Sequence, residues 1–170
     1  MLIAMSGLPA TGKSALADSL GRAGGMLMLS VDPIESAVLR AGFARTDATG
    51  LAAYLAVEAL ADTHLAMGRD VIVDAVNAVD PAKNMWRELA RKYLIPLVAI
   101  ECICSDEALH RARLASRDRG LDDRLEPNWV EVESRRATQT PWHQPTLIVD
   151  SVCPLMENVE RVLAWLRHLA

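Results

Sequence analysis

The chain has 170 residues, 51% of them apolar and 24% charged, with a formal net charge of −4. A chain of this length buries roughly 70% of the surface its unfolded form exposes, so it needs no disulfide or metal staple to fold. Arginines interleaved with acids give no basic stripe, which disfavours a long polynucleotide partner. No apolar run approaches the roughly eighteen residues of a membrane span, and the apolar opening lacks a basic leader, so the chain reads as soluble and cytoplasmic.

Residues 2 to 6 form a short apolar run ending in Ser6-Gly7, and helical spacing follows from 14 to 22. Met26 to Val31 is a second strand. Asp32-Pro33 then opens a helix to about 41, and Thr49 to Met67 carries apolar residues at Leu51, Tyr54, Leu55, Ala59, Leu60 and Leu65, a helical period stopped by Gly68. Val71 to Asp74 reads as a buried strand, with Asp80-Pro81 capping a helix to about Tyr93. A strand over Leu97 to Cys104 precedes a helix capped by Ser105 and running from 106 to about 118. A charged, aperiodic stretch to about 126 reads as a flap. A helix near 128 to 138, a turn from Thr140 to Pro145, a strand over Thr146 to Val149 and a helix from 155 to 168 complete the chain. Strands alternating with helices imply parallel pairing through right-handed crossovers, hence an α/β fold with a five-stranded parallel sheet between helical layers. No linker or repeat divides residues 1 to 170, so one domain with a site at the carboxyl edge of the sheet is expected.

Gly7-Leu8-Pro9-Ala10-Thr11-Gly12-Lys13-Ser14 spells G-x-x-x-x-G-K-S between a strand and a helix start. The two glycines supply unusual dihedrals, and the main-chain N–H groups with the helix N-terminus, from Ser14 and Ala15 onward, cradle an anion. Lys13 suits the β and γ phosphates of a nucleoside triphosphate, and the Ser14 hydroxyl suits Mg2+. Asp74, ending an apolar strand, is placed to orient that magnesium, although an aspartate after a strand also opens loops. Asp32 stands at the same sheet edge, where a carboxylate can take the proton of an attacking hydroxyl. The same residues, Asp32-Pro33-Ile34-Glu35, also spell a capping box, and both readings stand.

Arg111, Arg113, Arg117 and Arg119 crowd one helix end beside the flap. Arg113 and Arg117, four apart, share a face that can clamp a transferring phosphoryl group, or pair with Asp118, Asp122 and Asp123. Arg124, Arg135 and Arg136 have weaker claims. Tyr54, Arg40 and Arg45 lie where an acceptor could be read. His64, His110, His143 and His168 show no metal-binding spacing and read as surface or packing residues. Trp86, Trp129 and Trp165 read as helix packing, and Trp142 as a loop anchor. Cys102, Cys104 and Cys153, odd in number, read as buried free thiols, the first two on one strand face.

With these residues in place the chain resembles the small AAA-type P-loop kinases, a group that includes chloramphenicol phosphotransferase and the zeta-toxin-like and polynucleotide kinases. The resemblance rests on Gly7 to Ser14, Val31-Asp32, Val71 to Asp74 followed by Asn77, and the arginines before the flap. It implies the sheet order 2-3-1-4-5, an arginine-containing lid over about 118 to 127, and Asp32 as base. It further implies Arg113 and Arg117 bordering adenine and phosphates, and the loop from Asp150 to Pro154, with Ser151 and Pro154, against the base. Pro33-Ile34-Glu35-Ser36 replaces the arginine that polynucleotide 5'-kinases tend to carry there, and disfavours nucleic-acid ends. The expected activity is transfer of the γ-phosphoryl group of ATP, with Mg2+, to a hydroxyl of a small molecule, using Asp32, Lys13, Arg113 and Arg117. An ATP-binding module that drives a partner protein, or a kinase of nucleic-acid 5' ends, are the alternatives.

Overall fold

A computed structural model describes residues 1–117, 120–122 and 126–169. Its strands are β1 (Leu2–Ser6), β2 (Leu27–Ser30), β3 (Val71–Asp74), β4 (Leu97–Ile103) and β5 (Thr146–Asp150). The helices are α1 (Lys13–Gly24), α2 (Val31–Arg40), α3 (Asp47–Ala66), α4 (Asp80–Lys92), α5 (Glu107–Ala115), α6 (Trp129–Thr138) and α7 (Leu155–Arg167). The sheet is parallel throughout, in the order β2-β3-β1-β4-β5. This is the predicted P-loop fold. The arginine lid falls partly on Asp118, Arg119, Asp123, Arg124 and Leu125, which lie outside the described residues.

Alternation along the central strands feeds two cores, one on each face of the sheet. Leu2, Ala4, Val71, Val73, Leu97 and Ala99 meet α3 and α4, with Trp86 and Trp142 buried among them. Ile3, Met5, Ile72, Val98 and Ile100 meet Leu16 and Leu20 of α1 and Val159, Val162 and Leu166 of α7. Each layer therefore buries a face that no single helix could cover. No helix among the described residues is long and apolar enough to cross a membrane.

Several local expectations are corrected. Helix α3 buries Ala53, Val57, Ala61 and Leu65 and turns Leu51, Leu55 and Leu60 outward. These residues recur every four positions and form the stripe that meets the core. Residue Ser30 occupies the N-cap of α2, and Asp32 is its second helical residue, so the capping-box reading of Asp32 fails. Residue Val79 precedes α4 at its cap, with Asp80 and Pro81 inside the first turn. At α5 the cap is Asp106, whose carboxylate accepts from the N–H of Leu109, in place of Ser105, and the helix ends at Ala115. Of the three thiols only Cys102 is buried, because β4 stops at Ile103 and leaves Cys104 half-exposed, and Cys153 is exposed.

Trp142 anchors its loop as expected. The Lys83 ammonium, fully buried, donates to the carbonyl of Thr140 and to its hydroxyl at 2.9 Å, and sits 5.3 Å from the Trp142 ring. A buried ammonium is tolerated there because carbonyl and hydroxyl oxygens and a π face replace its water.

Candidate nucleotide and acceptor site

The loop between β1 and α1 is built on left-handed backbone. Gly7 has φ 138°, Ala10 64° and Gly12 84°. Glycine is required at the first of these for a second reason, since a Cβ on Gly7 would lie 2.3 Å from the carbonyl oxygen of Cys102. The loop is held at its root by Gly7 N–H to the Val76 carbonyl at 3.4 Å, and closed on itself by the Thr11 hydroxyl donating to the Leu8 carbonyl at 2.8 Å. Helix α1 starts at Lys13, so its N-terminal amides open onto the concave side of the loop.

Lys13 and Asp74 meet at the carboxyl edge of the sheet, Nζ to Oδ1 at 2.7 Å, both buried. The register that pairs Ser30 with Asp74 brings the Ser30 hydroxyl to Asp74 Oδ2 at 3.1 Å. Burial drives the Asp74 carboxyl upward, but the charge of Lys13 and hydrogen bonds from Lys13, Ser14 and Ser30 more than offset it and leave the group below its ordinary value. The carboxylate therefore stays ionised beside the Ser14 hydroxyl. A hydroxyl and a carboxylate are hard oxygen donors, the set that suits Mg2+ when phosphate oxygens and water complete its shell.

On one side of the loop a cavity of about 430 Å3 is lined by Thr11, Gly12, Ala15, Arg113, Ser151 and Pro154 among others. Arg113 donates to the Ser151 hydroxyl at 2.7 Å and to its carbonyl at 3.1 Å, which ties α5 to the loop after β5. The amide of Asn158 holds that loop from below, donating to the Asp150 carbonyl at 2.9 Å. Arg113 thus stands at the cavity wall. Arg117 lies 3.6 Å from Glu126.

On the other side Asp32, Glu35, Tyr54 and Arg135 converge. Burial, then the charge of Asp32, raises the Glu35 carboxyl, and Arg45 and Arg135 pull it back. Burial pushes the Tyr54 phenol up to about 12, so it keeps its proton, and its oxygen accepts from the N–H of Asn77 at 3.4 Å. The Asp122 N–H donates to the Ser36 hydroxyl of α2 at 2.9 Å, beside this group. Arg40 is exposed at the far end of α2 and takes no part.

Two contributors, Ser30 and His110, escaped sequence reasoning, and a third, Asn77, entered it only through the resemblance. Ser30 was legible only as a strand residue. Asn77 is fully buried with φ 49°, its amide donating to the Met5 carbonyl at 2.6 Å and accepting from the Trp86 indole at 2.8 Å. His110 reaches the loop itself, with Nε2 2.7 Å from the Pro9 carbonyl oxygen. No motif spacing signals either contact, because each joins residues far apart in the chain.

A parallel five-stranded sheet with a glycine loop of this shape and a lysine–aspartate pair at its carboxyl edge defines a P-loop protein. The AAA-domain family model matches residues 2–141, and the chain belongs to that family. Among solved structures it is similar to a candidate kinase from Chloroflexus aurantiacus, at 23% identity and TM-score 0.77, covering 98% of this chain and 96% of that one. A gluconokinase from Sinorhizobium meliloti has 20% identity, TM-score 0.70 and coverage of 99% and 92%. The Mycobacterium tuberculosis APS kinase CysC in complex with AMPPNP and APS has 16% identity, TM-score 0.62 and coverage of 98% and 96%. At these identities the likeness is one of fold. No curated protein matches in sequence.

Proposed function

We propose that the chain is an ATP-dependent phosphotransferase that moves the γ-phosphoryl group to a hydroxyl of a small molecule. The observation that carries this reading is the left-handed loop from Gly7 to Gly12 ending on Lys13, whose ammonium lies 2.7 Å from Asp74. Its amides and the α1 terminus suit a polyphosphate, and Lys13 suits the oxygens that gain charge as the γ-phosphoryl group departs. Ser14 and Asp74 would hold Mg2+, which when bound neutralises charge on the β and γ oxygens. The cavity beside Ala15, Arg113, Ser151 and Pro154 would take the base. Arg117, at the flap, would approach the phosphates on closure.

Asp32 would accept the proton of the acceptor hydroxyl as its oxygen forms the new bond to phosphorus and the bond from phosphorus to the ADP oxygen breaks. Glu35, Tyr54 and Arg135, gathered around it, would contact the acceptor. Kinases of this fold, among them the gluconokinase and the APS kinase, support the reading as a kinase. The net charge of −4 speaks against nucleic-acid ends as acceptors. ATP consumption measured against a panel of hydroxyl-bearing metabolites and antibiotics, with Asp32→Asn as control, tests the reading. A compound that accelerates turnover only with Asp32 present supports it, and a panel in which none does so refutes it.

A further inference from the structure

We propose that His110 is a positioning residue for the phosphate loop, setting the direction of the Ala10 N–H by gripping the Pro9 carbonyl from behind. This rests on the nucleotide-binding reading of the loop. The side chain of His110 is 1% exposed, and its Nε2 lies 2.7 Å from the Pro9 oxygen. A carbonyl only accepts, so Nε2 carries the hydrogen. Nδ1 is buried with no hydrogen-bond partner among the described residues, which fits an unprotonated nitrogen, since a second N–H there would be a stranded donor.

The consequence for the loop follows from peptide geometry. No peptide bond among the described residues is cis, and in a trans peptide the C=O and N–H point in opposite directions. Holding the Pro9 oxygen on the His110 side therefore turns the Ala10 N–H to the other side of the same plane. Ala10 needs such a restraint because it has φ 64°, a conformation that an L residue avoids. The Pro9–Ala10 peptide carries one acceptor and one donor, so with its N–H turned to the far side its carbonyl is the group through which it can be held from behind.

The imidazole is itself fixed. Trp129 meets it edge-on, with centroids 5.1 Å apart and planes at 78°, and the Arg111 guanidinium stacks 4.1 Å from the Trp129 ring. One helical turn beyond His110, Arg113 holds Ser151, so helix α5 braces the loop apex and the base cavity from one face. His110 and Pro9 are 101 residues apart, so this contact exists only in the folded chain.

The test compares His110→Gln, whose amide nitrogen reaches the Nε2 position, with His110→Leu, which has no donor. Calorimetry with Mg-ADP and with adenosine is run on wild type and both variants, with melting temperatures. The expected result is Mg-ADP affinity weakened about fivefold to tenfold in His110→Leu, restored in His110→Gln, with adenosine affinity unchanged in both. Equal weakening for adenosine and Mg-ADP, or none for either, overturns the proposal. Should the leucine variant not fold, 15N NMR of the wild-type imidazole decides, since an Nδ1–H tautomer overturns it and an Nε2–H tautomer sustains it. Failure of wild type itself to bind Mg-ADP would instead sink the nucleotide-binding reading, which the tautomer does not test.

Discussion

Lys13 Nζ lies 2.7 Å from Asp74 Oδ1 with the two side chains 6% and 2% exposed, which makes them a charge pair that neither member can leave without stranding the other. Removing one partner of such a pair destabilises by about 3–5 kcal/mol, so Asp74→Asn should unfold well before wild type at neutral pH. The folded Asp74 carboxyl is held below its ordinary 3.8. Its contribution is therefore complete above that pH and is lost as pH falls through the lower folded value. Melting curves from pH 7 to pH 3 should show wild type losing stability on acidification more steeply than Asp74→Asn. Parallel pH profiles would contradict the role assigned to this pair.

The second helical position of Asp32 makes a clean catalytic test available. Asparagine has the same shape as aspartate, and among the changes it makes is loss of the favourable interaction of a carboxylate with the helix N-terminus, about 0.3–1 kcal/mol. Asp32→Asn should keep its melting temperature within a few degrees and its Mg-ATP affinity, while acceptor-dependent turnover falls by about 100-fold or more. Retained turnover would remove Asp32 from the chemistry.

Two glycines of the loop differ in what surrounds them. A Cβ on Gly7 meets backbone at 2.3 Å, whereas one on Gly12 meets the side chain of Ser151 at 3.2 Å. Gly7→Ala must displace β4 or the loop and should abolish nucleotide binding. Gly12→Ala carries the left-handed penalty of about 1–2 kcal/mol and should retain measurable affinity. Titration of both variants with Mg-ATP checks the order, and a Gly7→Ala protein that binds as tightly as Gly12→Ala would refute it.

Asn77 is an internal strut between β1, α4 and α3. Asn77→Ala would leave the Met5 carbonyl and the Trp86 indole without their buried partner, at about 1–3 kcal/mol each. Urea denaturation should show a loss of at least 2 kcal/mol, and a variant within 0.5 kcal/mol of wild type would show these bonds to be dispensable. Both thresholds are of the order expected for such groups.

The strand and helix sequence, the parallel pairing and the phosphate loop were legible in the residues because each is written in local pattern, whereas the strand order came only with the family resemblance. Gly7, Gly12 and Lys13 announce their backbone needs within eight positions, and β1 and β3 announce burial on both faces by unbroken apolar runs. The outward leucines of α3 were misread for an equally physical reason. Periodicity gives the shape of an apolar stripe, yet the face that packs is the one carrying Ala53, Val57, Ala61 and Leu65.

What the sequence determined by itself was which segment can cradle an anion and that Asp74 ends a strand at the same edge. Tertiary structure alone decided that Asp74 is paired with Lys13 and Ser30, that His110 reaches the loop at Pro9, and that Asn77 holds the Met5 carbonyl of β1. These contacts join positions tens of residues apart, and their geometry is fixed by strand register and helix packing. No local stretch of chain encodes them.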